Sequence, residues 1–155
     1  GIATTSFRFF TVYGPWGRPD MAIFKFTRAI IEGAPIDVYC GGNMRRDFTY
    51  VADLVEAIMR LVPLAPERSE TLPVPYRVVN IGGGQPQGLI DFIETLEQAI
   101  GKPSIRNMMP MQQGDVPQTY AAPDVLEALT GYKPATSLAD GVKAFVGWYR
   151  GYYGV

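Results

Sequence analysis

A chain of 155 residues and 17.1 kDa, 47% hydrophobic and 19% charged with a mean hydropathy of +0.03, has the balance of one globular domain or a piece of one, which excludes disorder, collagen and a disulfide scaffold. Lys+Arg number 14 and Asp+Glu 15, a net charge of −1, so the summed positive field used by nucleic-acid and membrane-surface binders is missing and neither partner is expected. No apolar run reaches the roughly 18 residues of a membrane span, and no basic segment followed by an apolar stretch marks a signal peptide.

Residues 2–10 form a β-branched, aromatic run that reads as a strand already under way. Without an initiator Met, this start suggests a fragment whose N-terminal half is missing. Tyr13-Gly14-Pro15-Trp16-Gly17-Arg18-Pro19-Asp20 cannot continue a ladder or a helix and is an ordered loop. Asp20 is placed to cap a helix over 21–32, and Gly33 to stop it. Residues 35–39 alternate as a short strand, Gly41-Gly42-Asn43 turns, and 46–50 is a second extended piece. The spacing of Leu54, Val55, Ile58, Leu61 and Val62 predicts a helix over 52–62. Residues 63–75 hold four prolines and form the best candidate for a mobile loop. Residues 77–81 read as a buried strand ended by Gly82-Gly83-Gly84. An amphipathic helix follows over 88–100, then a short strand near 104–108, a polar loop, and a helix from Pro123 to about Leu129. Ser137-Leu138-Ala139-Asp140 resembles a capping box and opens a final helix with Val142, Phe145, Val146 and Tyr149 on one face. Alternating strands and helices make the class α/β or α+β, with too few strands for a complete doubly wound sheet.

The sequence has no histidine, which removes Ser-His-Asp and Cys-His catalysis and the usual His-based metal sites. Its single cysteine, Cys40, cannot close an internal disulfide and favours a reducing compartment, hence a cytoplasmic protein. Arginine is more informative. Arg8, Arg18, Arg28, Arg45, Arg46 and Arg77 lie at predicted loops or strand ends, where α/β proteins bind ligands, and a guanidinium holds phosphate or carboxylate bidentately. The ordinary reading of any one of them is a solvated charge. In Met44-Arg45-Arg46-Asp47-Phe48, however, neighbours alternate faces. If Phe48 faces inward, so does Arg46, while Arg45 faces out and Asp47 lies on the wrong side to pair with Arg46; a ligand phosphate is then the candidate anion. Gly82-Gly83-Gly84 is not G-x-G-x-x-G and reads first as a tight turn. Asp53 reads as a first-turn helix acid favoured by the dipole. Paired carboxylates for acid–base work are not evident.

Arg8-Phe9-Phe10-Thr11-Val12-Tyr13-Gly14-Pro15-Trp16-Gly17-Arg18-Pro19-Asp20-Met21 resembles extended short-chain dehydrogenases/reductases, most closely the NAD-dependent UDP-glucuronate 4-epimerases. Arg45-Arg46-Asp47-Phe48-Thr49-Tyr50-Val51-Ala52-Asp53, Asn80-Ile81-Gly82, Gly114-Asp115-Val116-Pro117 and Trp148-Tyr149-Arg150 match the same family in order and spacing. The resemblance implies that residues 1–155 are the C-terminal UDP-sugar-binding portion of an α/β enzyme, with the last Rossmann strand(s) and the NAD-binding Rossmann core missing. That core carries the Gly-rich fingerprint, the active-site Ser/Thr and the Tyr-x-x-x-Lys pair, so no catalytic, cofactor-binding or metal-binding residue is expected in this chain. The resemblance also implies a homodimeric parent.

Carried over residue by residue, it implies that Thr11 touches the sugar near its C5 carboxylate. Arg18 would lie near that carboxylate or the phosphates. Asp37, Val38 and Tyr39 would line the uracil pocket, and Arg46 would bind the pyrophosphate. Two departures stand out: Gln112 and Gln113 occupy positions where relatives often have an Arg before Gly-Asp, and Ala121-Ala122-Pro123-Asp124 stands where relatives tend to have an Asp soon after Tyr-Ala. The implied parent reaction is removal of hydride from sugar C4 to NAD and its return to the other face of the 4-keto sugar, interconverting UDP-glucuronate and UDP-galacturonate. A related dehydratase or uronate decarboxylase, or a non-catalytic nucleotide-sugar-binding module, are the alternatives.

Overall fold

The computed structural model describes residues 2–71 and 73–155. The chain runs β1 (Thr4–Phe9), β2 (Thr11–Tyr13), α1 (Ala22–Glu32), β3 (Pro35–Val38), a 3-10 turn (Tyr39–Gly42), β4 (Arg45–Arg46), β5 (Phe48–Tyr50), α2 (Val51–Leu61), β6 (Tyr76–Ile81), β7 (Gln87–Gly88), α3 (Leu89–Ile100), β8 (Ile105–Met108), α4 (Asp124–Thr130) and α5 (Leu138–Tyr153). Strands pair two by two: β1 with β6, β2 with β5 and β3 with β8 in parallel, and β4 with β7 antiparallel. The sequence implies that the partners of the first strand lie outside this chain. The structure corrects this: Thr4 to Phe9 run beside Tyr76 to Ile81, a docking that accompanies complete burial of Val79 and Ile81.

Two apolar clusters flank the β2–β5 ladder. The larger packs α1, α3 and α5 through Phe24, Ile30, Phe92, Leu96, Phe145 and Tyr149; the smaller joins α2, α4 and β6 through Leu54, Leu61, Ile81 and Leu126. The ladder serves both because successive strand residues face opposite ways. Val12 packs on the smaller cluster, Tyr13 and Tyr50 on the larger. The seam with α5 is tight. A Cβ on Gly141 would lie 2.1 Å from Tyr13 Oη, so only glycine lets the helix approach this ring.

Most predicted ends hold, with instructive exceptions. Asp20 does not cap α1. Met21 holds that position without a side-chain bond, because both Asp20 oxygens are taken by Arg18. At α5 the Ser137 hydroxyl accepts the Asp140 N–H at 3.1 Å and donates to Asp140 Oδ2 at 2.6 Å. Aspartate is one methylene shorter than the usual Glu, and here it meets the hydroxyl instead of the backbone N–H. The expected mobile loop over 63–75 includes Leu72, which lies outside the described residues; within it Pro66 is buried and the Leu64 carbonyl accepts from the Arg77 guanidinium.

The extended piece at 46–50 is interrupted at Asp47, which is fully buried. Its Oδ2 accepts the Gly84 N–H at 3.0 Å and the Ala121 N–H at 2.9 Å. Its own N–H donates to Thr119 Oγ1 at 3.1 Å, and its carbonyl accepts the Thr11 N–H at 3.2 Å. One residue thus ties four segments. Charge-assisted bonds of this kind are about twice as strong as neutral ones. Asp47→Ala strands two amides and should cost about 2–5 kcal/mol. Asp47→Asn keeps one oxygen for both amides and should cost less than half as much; urea unfolding of the two variants measures the difference. Gly141→Ala sets two effects against each other. Helix propensity favours Ala by about 1 kcal/mol, while overpacking costs about 1–3 kcal/mol. The Tyr13 hydroxyl oxygen and two of its ring carbons lie under 3 Å from the new methyl, so the clash should win. Tm should fall, and Tyr13→Phe in the same chain should recover part of the loss.

Candidate functional site

A cavity of about 230 Å³ opens beside the β2–β5 ladder and gathers Thr11, Asp37, Tyr39, Arg46 and Asp115. Each arrives by a different route. Thr11 begins β2, Asp37 lies in β3, and Tyr39 opens the 3-10 turn. Arg46 ends β4 just before the Asp47 anchor. The floor is apolar and rigid: Phe48 stacks on the fully buried Phe92 with ring centroids 4.7 Å apart and planes at 18°. The cavity therefore combines an apolar body with the Arg46 guanidinium, which Asp115 faces, and the Asp37 carboxylate.

Four of the six residues the sequence nominates are brought together; Val38 and Arg18 are not. The Val38 side chain is fully buried in the larger cluster, and its carbonyl accepts the Met109 N–H at 2.9 Å. The cause is strand alternation, which turns Val38 inward and leaves Asp37 exposed. Asp37 accepts from Asn107 Nδ2 at 2.8 Å. Arg18 lies on the loop before α1 with its side chain 75% exposed, bidentate to Asp20 at 3.0 and 2.5 Å.

Arg46 shares a side with Phe48, as the alternation predicts, and Arg45 is exposed with Nη2 on the Pro86 carbonyl at 2.7 Å. Arg46 also has a carboxylate of the chain itself nearby. Its Nη2 lies 3.7 Å from Asp115 Oδ1, and its Nη1 donates to the Val116 carbonyl at 2.8 Å. Sequence reasoning marked Gly114-Asp115 only as part of a motif. The 69 residues separating Asp115 from Arg46 carry no local signal that they meet.

Gly82-Gly83-Gly84 is a turn and not an anion cradle. The Gly84 N–H is committed to Asp47, and a Cβ on Gly82 would lie 2.4 Å from the Ala121 Cβ. Asp53 does more than favour a helix dipole: it accepts from Ala135 N–H, Thr136 N–H and Thr136 Oγ1 at 3.1, 2.8 and 2.8 Å, fixing the approach to α5. Asp47 and Asp53 line a second cavity of about 300 Å³ together with Tyr13. Burial, then the Asp53 charge, push the Tyr13 phenol well above its ordinary value, so it stays protonated and is no general base near neutrality.

The family described as "NAD dependent epimerase/dehydratase family" matches residues 1–82. A protein of Rhizobium meliloti (strain 1021) with the description "Probable UDP-glucuronate 4-epimerase" is 62% identical over 159 residues, covering 96% of this chain and 47% of that protein. "UDP-glucuronate 4-epimerase 1" of Arabidopsis thaliana is 42% identical over 163 residues, 99% of this chain and 38% of the other. Among solved structures, the UDP-glucuronic acid 4-epimerase of Bacillus cereus in complex with UDP-glucuronic acid and NAD is similar at a TM-score of 0.85 and 31% identity, covering 98% of this chain and 46% of that one. The chain spans about half the length, or less, of these relatives.

The Arg46–Asp115 contact has a measurable consequence. An incoming anion must compete with Asp115, and a partly exposed ion pair is worth about 0.5–1 kcal/mol. Asp115→Asn should therefore bind inorganic pyrophosphate about 2–5-fold more tightly than the parent chain, and Arg46→Ala should abolish the gain. Calorimetry on the single and double variants tests the competition.

Proposed function

The chain belongs to the NAD dependent epimerase/dehydratase family, and we propose that it is the UDP-sugar-binding part of an enzyme that interconverts UDP-glucuronate and UDP-galacturonate. In this reading residues 1–155 work beside an N-terminal NAD-binding Rossmann domain of the length by which the relatives exceed this chain. NAD, when bound, supplies hydride exchange at sugar C4. The glycine turn at 82–84 is closed by Asp47 and Ala121 and offers it no cradle.

The observation that carries the reading is the convergence of Thr11, Asp37, Tyr39 and Arg46 on one cavity with an apolar floor. Tyr39 and Asp37 suit a uracil ring, one by its π-face and the other as an acceptor. Arg46 suits the pyrophosphate. Thr11 places one hydroxyl where the sugar would extend, and Arg18, on the adjoining loop, is the cation available for a C5 carboxylate once Asp20 yields. This division serves the chemistry. Affinity is concentrated on uracil and pyrophosphate, so the keto sugar can turn over between the two hydride transfers without leaving.

The tests use the full-length protein that contains this chain. Arg46→Ala should weaken UDP binding by about 2–4 kcal/mol, whereas Arg45→Ala should cost under about 1 kcal/mol; equal losses would remove Arg46 from the phosphate site. Arg18→Ala should lower kcat/KM for UDP-glucuronate about 10–100-fold, corresponding to roughly 1.4–3 kcal/mol of charge-assisted bonding, with UDP affinity unchanged. Thr11→Asn should reduce the preference for UDP-glucuronate over UDP-glucose. The 155-residue chain by itself should show no turnover. Absence of epimerisation in the full-length protein, with release of CO2 from UDP-glucuronate, would replace this reading with the decarboxylase one.

A further inference from the structure

Trp16 occupies a backbone conformation that favours a different residue. Among the described residues, only Trp16 and Cys40 have positive φ without being glycine, and Trp16 has φ 63°. It is the third residue of a turn closed by the Gly17 N–H on the Gly14 carbonyl at 3.2 Å, a place where Gly or Asn normally sits. The indole cannot be there for the backbone, so its side chain must supply the reason. Simple burial is not that reason, because the residue is 74% exposed. Its ring lies 5.3 Å from Trp148 and 5.2 Å from Tyr152, both on α5. Trp148 in turn packs on Phe24 and Phe145, each with centroids 5.7 Å away. The loop is thus clamped to the core through one strained aromatic residue, two positions before Arg18.

We propose that Trp16 is a positioning residue: clamped on Trp148 and Tyr152, it fixes the 14–20 loop so that Arg18 is presented to the substrate carboxylate. This rests on the role proposed above for Arg18. Strain held by surrounding structure is characteristic of loops whose geometry matters more than their stability. The clamp would make the C-terminal turns of α5 part of uronate selection, although they line no part of the cavity at Arg46.

Trp16→Gly removes the indole and relaxes the backbone together, which separates positioning from stability. In the full-length protein, the expected result is a KM for UDP-glucuronate raised about 10-fold, within the range that a misplaced group costs. UDP affinity and Tm should stay at their parent values. Trp16→Phe should retain most of the parent KM, and Trp148→Ala should reproduce the Trp16→Gly defect. The sequence holds two tryptophans and both sit in the clamp, so a near-ultraviolet circular dichroism band from their coupling should be lost from this chain in Trp16→Gly. A parent-like KM in Trp16→Gly overturns the proposal, as does an equal loss of UDP affinity or a fall in Tm that accounts for lost activity. Arg18→Ala separates the two readings. If it raises KM and Trp16→Gly does not, only the clamp fails; if it leaves KM unchanged, the Arg18 role fails and takes the clamp with it. In the Arg18→Ala background, Trp16→Gly should add nothing further, and an additive effect counts against the clamp.

Discussion

The Asp47 carboxylate is the interaction on which the rest of the chain depends. A buried charge is costly unless it is hydrogen-bonded, and here Oδ2 takes two backbone amides from segments far apart in the sequence, at Gly84 and Ala121, while Oδ1 has no hydrogen-bond partner among the described residues. The backbone of the same residue holds Thr119 and Thr11. Because Asp47 is pinned, its neighbours have no freedom of face. Arg46 must turn toward the cavity and Phe48 toward Phe92. The cavity's cation and its aromatic floor are thus consequences of one anchored aspartate between them.

The same anchor explains the glycine turn after β6. A run of three glycines behind a strand suggests an anion cradle, but the carboxylate in contact with it belongs to the protein itself. Gly82 is needed for clearance, since Ala121 fills the space that a side chain would take. Asp53 repeats the device in the first turn of α2, holding Ala135 and Thr136 ahead of α5. Both acids are occupied in holding chain segments. Arg46, by contrast, approaches its acid, Asp115, only to 3.7 Å.

The two nominated residues that lie elsewhere mark a boundary between scaffold and recognition. Val38 serves the core because the strand that offers Asp37 to the cavity must bury its neighbour. Arg18 is exposed and occupied by Asp20, on a loop that meets the last helix through the Trp16 ring.

The sequence by itself determined the order and approximate position of the helices, the glycine stop at Gly33, the capping at Ser137, the face shared by Arg46 and Phe48, and the motifs of the extended short-chain dehydrogenase/reductase class. These are local matters: propensity, alternation and capping act within a few residues, and are legible there. Tertiary structure alone decided that β1 pairs with β6, that Asp115 reaches Arg46 and that Asp20 is spent on Arg18 instead of on a cap. It also decided that Asp47 lies buried beneath Gly84 and Ala121. The pairings of β1, Asp115 and Asp47 join groups tens of residues apart, and that of Asp20 a choice between two local partners. The long-range pairings depend on which apolar surfaces and backbone groups are covered together, a comparison over the whole fold that no window of sequence contains, whereas the Arg18–Asp20 pair is an exposed contact two residues apart.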